Sequence, residues 1–221
     1  AGSVNDVNRI RRRLPTALGA VLVVAACSSR PPGPTPAPVP PATAGGPDAA
    51  TISADAKRRP YVAEDVRFMQ HMIVHHAQAL AMVALVPGRT RSEAMLLLAE
   101  RIEVSQRDEI ALMQQWLRDR GEHAPEVGAG GAVHGAVHGE ATMPGMLTAE
   151  ELARLERARG EEFDRLFLEL MIRHHEGALV MVSELFNAPG AGQDPEVFRL
   201  AMDVDADQRA EIRRMQAMLD K

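Results

Sequence analysis

From residue 61 onward the hydrophobic positions recur every three to four residues, the period of an amphipathic helix, and no stretch alternates with the period of two that marks a half-buried strand. The pattern predicts four long helices. The first runs from about Tyr61 to Val86, where Pro87-Gly88 stops it. The second follows Thr90-Arg91-Ser92-Glu93, which reads as a capping box, and carries Met95, Leu98, Ile102, Ile110, Met113 and Leu117 on one face before Gly121. Residues 122–147 show no period of either kind and read as a long connection. A second capping box, Thr148-Ala149-Glu150-Glu151, opens a short helix that Gly160 interrupts. A third long helix spans about Glu161 to Phe186 and ends at Asn187-Ala188-Pro189-Gly190. Asp194-Pro195 supplies an N-cap and a proline at the first position of a fourth, which runs to near Leu219. Such stripes are best buried against one another, so the fold class is all-α, a four-helix bundle.

The bundle is written twice. Asp65, Phe68, Met72-Ile73, His75-His76, Ala79-Leu80 and Met82-Val83 recur 99 residues later as Asp164, Phe167, Met171-Ile172, His174-His175, Ala178-Leu179 and Met181-Val182. Gln106, Arg107, Glu109, Ile110, Met113 and Leu117 recur as Gln208, Arg209, Glu211, Ile212, Met215 and Leu219. The repeating unit is therefore a two-helix hairpin, and the fold is built from two repeated helical hairpins.

On each copy the apolar stripe carries unusual chemistry. Met72 with His75 and His76, and Met171 with His174 and His175, stand at i, i+3 and i+4, so their tips converge over one helical turn. Neutral imidazole suits copper, zinc, iron and nickel, whereas a thioether adds affinity mainly for copper as Cu(I). His71, Met69, Met82 and Met181 flank the same stripes. A single methionine at helical spacing is more often a core gap-filler, and a single histidine on an apolar face more often a hydrogen-bonded core residue. The doubling of a Met-His-His set is what favours metal.

Asp65 and Asp164 also fall on the stripes, where a carboxylate is costly unless paired. If the two repeated helices run antiparallel and cross near Gln70 and Glu169, each Asp meets the other helix's histidines, as metal ligand or as orienter of a ligand. If they run parallel, the four histidines share one level and form a single site. Each Asp as a plain helix cap is the remaining option. No Glu stands three residues before these histidines, as a di-iron centre on a bundle requires, and no nucleophile, phosphate-cradling loop or cysteine pair points to other catalysis. The expectation is a protein that is not an enzyme.

Composition changes the picture at the N-terminus. In a chain of 221 residues with net charge −5, Lys and Arg are spread along the helices, which gives nucleic acid no electrostatic footprint. The basic residues Arg9, Arg11, Arg12 and Arg13 precede an apolar run from Leu14 to Ala26, too short to span a bilayer, and Val24-Ala25-Ala26-Cys27 looks like a bacterial lipobox. Residues 1–27 thus read as a lipoprotein signal peptide with Cys27 as the lipidation site. Residues 28–59, centred on the proline run from Pro31 to Pro41, read as an extended tether, and 60–221 as the bundle with a His- and Met-containing loop at about 121–147. That loop holds His123, His134, His138, Met143 and Met146.

The doubled Asp-x-x-Phe-x-x-x-Met-Ile-x-His-His pattern, Met143-Pro144-Gly145-Met146 ahead of the second copy, and Gln-x-x-Glu-Ile-x-x-Met in the following helix together resemble the bacterial domain of unknown function 305. The resemblance covers nearly everything from Tyr61 to Leu219. It implies a ferritin-like four-helix bundle in exported proteins, some associated with copper binding and tolerance through Met and His. Carried onto this chain, the implied ligands are Met72, His75, His76, Met171, His174 and His175, with Met143 and Met146 as added candidates. Arg173 and Val74 stand where the family usually has Pro or a small residue, which puts a basic group near the second site.

The combined expectation is an exported, lipid-anchored protein that binds copper as Cu(I), with zinc admitted by the imidazoles, and buffers it or exchanges it with a donor or acceptor protein. The alternative from another class is a metal-free structural or partner-binding bundle at the cell envelope. A ferritin-like redox enzyme is the third reading.

Overall fold

The computed structural model describes residues 60–134 and 143–220. These all belong to one compact unit. The stretches read from the sequence as a signal peptide and a tether, with Cys27 and His138, lie outside the described residues. Four long helices carry the fold: α1 (Ala63–Val83), α2 (Glu93–Asp119), α4 (Gly160–Asn187) and α5 (Pro195–Leu219), with a short α3 (Ala149–Arg157) laid before α4. Among the described residues no helix is long and apolar enough to cross a membrane.

Local chemistry sets the helix ends. Thr148 and Glu151 form the expected capping box at α3. Asp194 caps α5, accepting from Glu196 N and Val197 N. The expected box at α2 is corrected, because the cap is Ser92, which accepts from Met95 N. Thr90 lies outside the helix, where its hydroxyl accepts from Ser92 N and donates to Asp164. The connection is not without strands either. Glu126–Val127 pairs antiparallel with Val133–His134 around a 3-10 turn, Ala129–Gly131. Two-residue strands are too short to leave a period in a sequence. Gly131, at φ +78, sits so close to α1 that a Cβ there would come within 2.0 Å of Ala77 O.

Each hairpin buries its stripes internally, α1 on α2 and α4 on α5, and α1 packs on α4 across the pseudo-symmetric centre. The direction of that contact follows from the ends. Asp65, near the start of α1, accepts from Gly192 N just beyond α4, and Gly160 N at the start of α4 donates to Arg89 O just beyond α1. Hence α1 and α4 are antiparallel. A cluster pins α2 to the start of α5: Arg120 stacks 4.2 Å over Trp116 and pairs with Asp194 at 3.0 Å and Glu196 at 2.9 Å. Elsewhere α2 and α5 touch little, leaving an open groove between them.

Candidate metal centre

The helices α1 and α4 cross at His75 and His174, whose ring centroids are 3.9 Å apart. His76 and His175 flank them, 6.4 Å from His75 and 6.2 Å from His174 respectively. All four, with Met72 and Met171, have no solvent exposure. The four histidines therefore share one level in an antiparallel pair, an arrangement expected only for parallel helices. The reason is the crossing point, which lies five residues beyond Gln70 and Glu169.

That shift also removes the expected Asp–His pairs. Asp65 accepts from Gly192 N through Oδ1 at 2.7 Å and from Val62 N through Oδ2 at 3.0 Å, and Asp164 accepts from Thr90 at 3.0 Å. Both acids are helix-end ties. The carboxylates that do meet the histidines come from the outer helices: His76 Nε2 bonds Glu109 at 2.6 Å, and His175 Nε2 bonds Glu211 at 2.6 Å. One helical turn before each, Gln106 and Gln208 are buried too. These four were missed as site residues. Their recurrence as Gln-x-x-Glu was visible, but a Glu on an amphipathic helix ordinarily faces water.

The result is a buried layer of four His, two Glu and two Gln through the middle of an apolar core. It is poorly satisfied. Of the twelve buried side-chain N and O atoms without a partner among the described residues, nine belong to this layer: Nδ1 of all four histidines, His174 Nε2, both amide atoms of Gln106, Gln208 Oε1 and Glu109 Oε1. Each such group costs roughly 1–3 kcal/mol. Burial, with His76 and His175 adding like-charge repulsion, pushes His75 down to about 3. Burial and neighbouring His75 push His174 well below its ordinary 6.5. Both are thus held toward the neutral form, which is the ligand form of imidazole.

The Met143-Pro144-Gly145-Met146 turn closes the layer from one side. Pro144 O accepts from His75 Nε2 at 3.1 Å. The turn reaches this position because Gly145, at φ +77, and Gly177 let two backbones touch: a Cβ on Gly177 would stand 2.1 Å from Pro144 O. Gln78 clasps the same segment, donating to Leu147 O and accepting from Leu147 N. Met143 is buried and Met146 half-buried, and neither is needed to complete the layer. Arg173 does not add charge to the centre, since it points outward in a two-pronged bond to Glu151. Val74 is buried. His134 is exposed on the small hairpin, and His123 is exposed with its carbonyl accepting from Gln70. Among the described residues no three His, Cys, Asp or Glu side chains converge as a ready cation cage.

On the outer side, Glu109 and Glu211 form part of the wall of the groove between α2 and α5. Asp207 lines it as well, its carboxyl pushed up by burial and by Glu109, Glu211 and Asp203.

Fold and layer define a class: an all-α bundle of two fused hairpins with a doubled Met-His-His face at its centre. The chain belongs to the DUF305 family, a domain of unknown function, whose model matches residues 65–219. Solved structures agree. A DUF305 fragment from Deinococcus radiodurans is 36% identical with a TM-score of 0.62, over 73% of this chain and 99% of that one. A DUF305 protein from Streptomyces coelicolor, described as secreted, is 28% identical with a TM-score of 0.60, over 71% and 92%. CopM, solved in Cu(II)-bound and Cu(I)-bound forms, is 27% identical with TM-scores of 0.55 and 0.54, over 71% of this chain and 95% of CopM. No curated protein sequence matches the chain.

Proposed function

We propose that this protein binds copper, preferentially Cu(I), in the extracytoplasmic space, and buffers it or passes it to another protein without catalysing a reaction. The observation that carries the reading is the concentration of unpartnered donor atoms in one layer. A core optimised only for packing does not gather nine unpartnered polar atoms, five of them imidazole nitrogens. The residues fit the ion: Met72 and Met171 supply thioethers, and His75, His76, His174 and His175 supply imidazoles, of which His75 and His174 are held neutral. Copper would supply the electron-pair acceptor that these nitrogens lack. Glu109 and Glu211 would orient His76 and His175 from behind. Asp65 and Asp164 drop out of the ligand set because both oxygens of Asp65 and Oδ2 of Asp164 serve the helix ends, away from the histidines. Likeness to CopM, whose structures contain copper, points the same way.

The N-terminal segment extends the reading to the cell surface. The Val24-Ala25-Ala26-Cys27 sequence would place a lipid on Cys27 and tether the bundle to a membrane through residues 28–59. Membrane fractionation of the wild type against Cys27→Ser tests it: release of the variant supports the anchor, and equal partition rejects it.

A metal-free bundle is the second reading, favoured by the partners that His75, His76 and His175 do have. Titration of the full chain with Cu(I) against a competing chromophoric chelator, with Zn(II) in parallel, decides between them. Copper binding lost in His75→Gln/His174→Gln, with the melting transition retained, supports the first. A folded wild-type chain that takes up neither metal supports the second.

A further inference from the structure

The repeat breaks its own symmetry at one place on the surface. A pocket of about 370 Å³ opens between the start of α1 and the end of α4, with Glu64, His71, Met143, Pro144, Met181 and Glu184 in its walls. The positions related to this pocket by the internal repeat are mostly apolar, with Arg89 standing opposite Ala188. Where one half has Glu64, Arg67, His71 and Glu184, the other has Phe163, Leu166, Leu170 and Leu85. Phe163, Leu166 and Leu170 are buried core. Of the pocket's side chains only Met181 and Phe68 find the same residue in the other half, as Met82 and Phe167.

Exposure to water explains polarity but not this set. It asks for no thioether, yet a second one, Met143, comes from outside the repeat and lines the same cavity as Met181. Met143 and Met181 are 7% and 5% exposed, so a ligand binding them has little water to displace from sulfur. Two thioethers and an imidazole form a soft donor set; of the two flanking carboxylates Glu184 raises the local concentration of cations, while Glu64 lies 3.8 Å from the Arg67 guanidinium that also lines the pocket. The pocket also adjoins the central layer. Pro144 lines it with one side and, through its carbonyl, holds His75 Nε2.

We propose that His71, Met143 and Met181 form a second, surface-accessible site for a soft monovalent cation, Cu(I), and that it is the point of entry to the buried histidines. This rests on the copper reading above and goes beyond it by separating capture from storage. An ion taken at the pocket is one residue of the Met143-Pro144 turn away from the hydrogen bond that closes the centre.

The test uses the full chain carrying ¹³C-methyl methionine, titrated with Ag(I) as a redox-inert soft cation. With one equivalent the methyl signals of Met143 and Met181 shift, while those of Met72 and Met171 move only as more is added. In His71→Leu/Met143→Leu/Met181→Leu the first step disappears and the central signals respond more slowly or at higher Ag(I). Leucine keeps the apolar volume of methionine, so the fold is retained and checked by its melting transition. If the first equivalent shifts Met72 and Met171 alone, the surface site is overturned while copper binding at the centre stands. If Ag(I) and Cu(I) leave every methyl unmoved, both readings fall.

Discussion

His75 and His174 lie ring against ring where the two repeated helices cross, with 3.9 Å between centroids. Two imidazoles this close cannot both be charged, and their burial favours the neutral form of each. The repeat produces the pair automatically, because an antiparallel crossing on a pseudo-twofold axis brings each residue against its own copy.

Acid should therefore unfold the metal-free chain through these two groups. Unfolded histidines take up protons below pH 6.5, whereas His75 holds out to about 3 and His174 also resists. The unfolded state then binds more protons, so stability is full above 6.5 and falls as pH drops toward 3. For His75 each unit in that window costs roughly 1 kcal/mol, and His174 steepens the slope in the same direction. Denaturant melts followed by Trp116, the only tryptophan, should show this slope, and His75→Gln/His174→Gln should flatten it.

Glu109 and Glu211 serve their histidines alike, each accepting from a buried Nε2 at 2.6 Å. Glu109→Gln keeps an acceptor for His76 Nε2 and should cost little stability. Glu109→Ala strands that nitrogen in the core, at about 1–3 kcal/mol. If the carboxylates orient copper ligands, Glu109→Gln/Glu211→Gln also lowers Cu(I) affinity about 10- to 100-fold. Competition with a chelator reads that effect, and calorimetry reads the stability.

The close approach of Gly177 to the Met143–Leu147 turn predicts a sharper outcome. Gly177→Ala drives a methyl into Pro144, whose carbonyl and carbon would lie 2.1 and 2.5 Å away. Backbone must move, at about 1–3 kcal/mol, and the His75–Pro144 bond opens. Faster hydrogen exchange of the Leu147 amide, now held by Gln78, would report the loosened turn. Unchanged exchange would mean the helix yields instead.

Much of this was readable from the chain, for a physical reason. Helical period, capping residues and a 99-residue repeat are local or self-referential signals, and they placed the long helices, the short α3 and the Met-His-His sets. What they lack is register between helices. A five-residue shift in the crossing point took Asp65 and Asp164 away from the histidines and brought the histidines together. Glu109 and Glu211 reached His76 and His175 only through that same packing. The Met143–Met146 turn looked like linker because its order comes from Gly177 and Gln78, far away in sequence.

Asp65 is where the two accounts of the buried acids part most cleanly. Its oxygens accept from Gly192 N at 2.7 Å and Val62 N at 3.0 Å, so it ties the start of α1 to the loop after α4. Asp65→Ala leaves both amides without their acceptor in a region where Asp65 itself has no exposure, at roughly 1–3 kcal/mol for each bond. Asp65→Asn keeps one acceptor and should lose about half as much. Neither change alters the donor atoms of the central layer, which lies about ten residues, or ~15 Å, along the helix. The expected result is a lower melting temperature with Cu(I) affinity unchanged at a temperature where the variant is folded. A variant that melts normally but binds copper tenfold more weakly would return Asp65 to the ligand set and displace the helix-end role assigned to it.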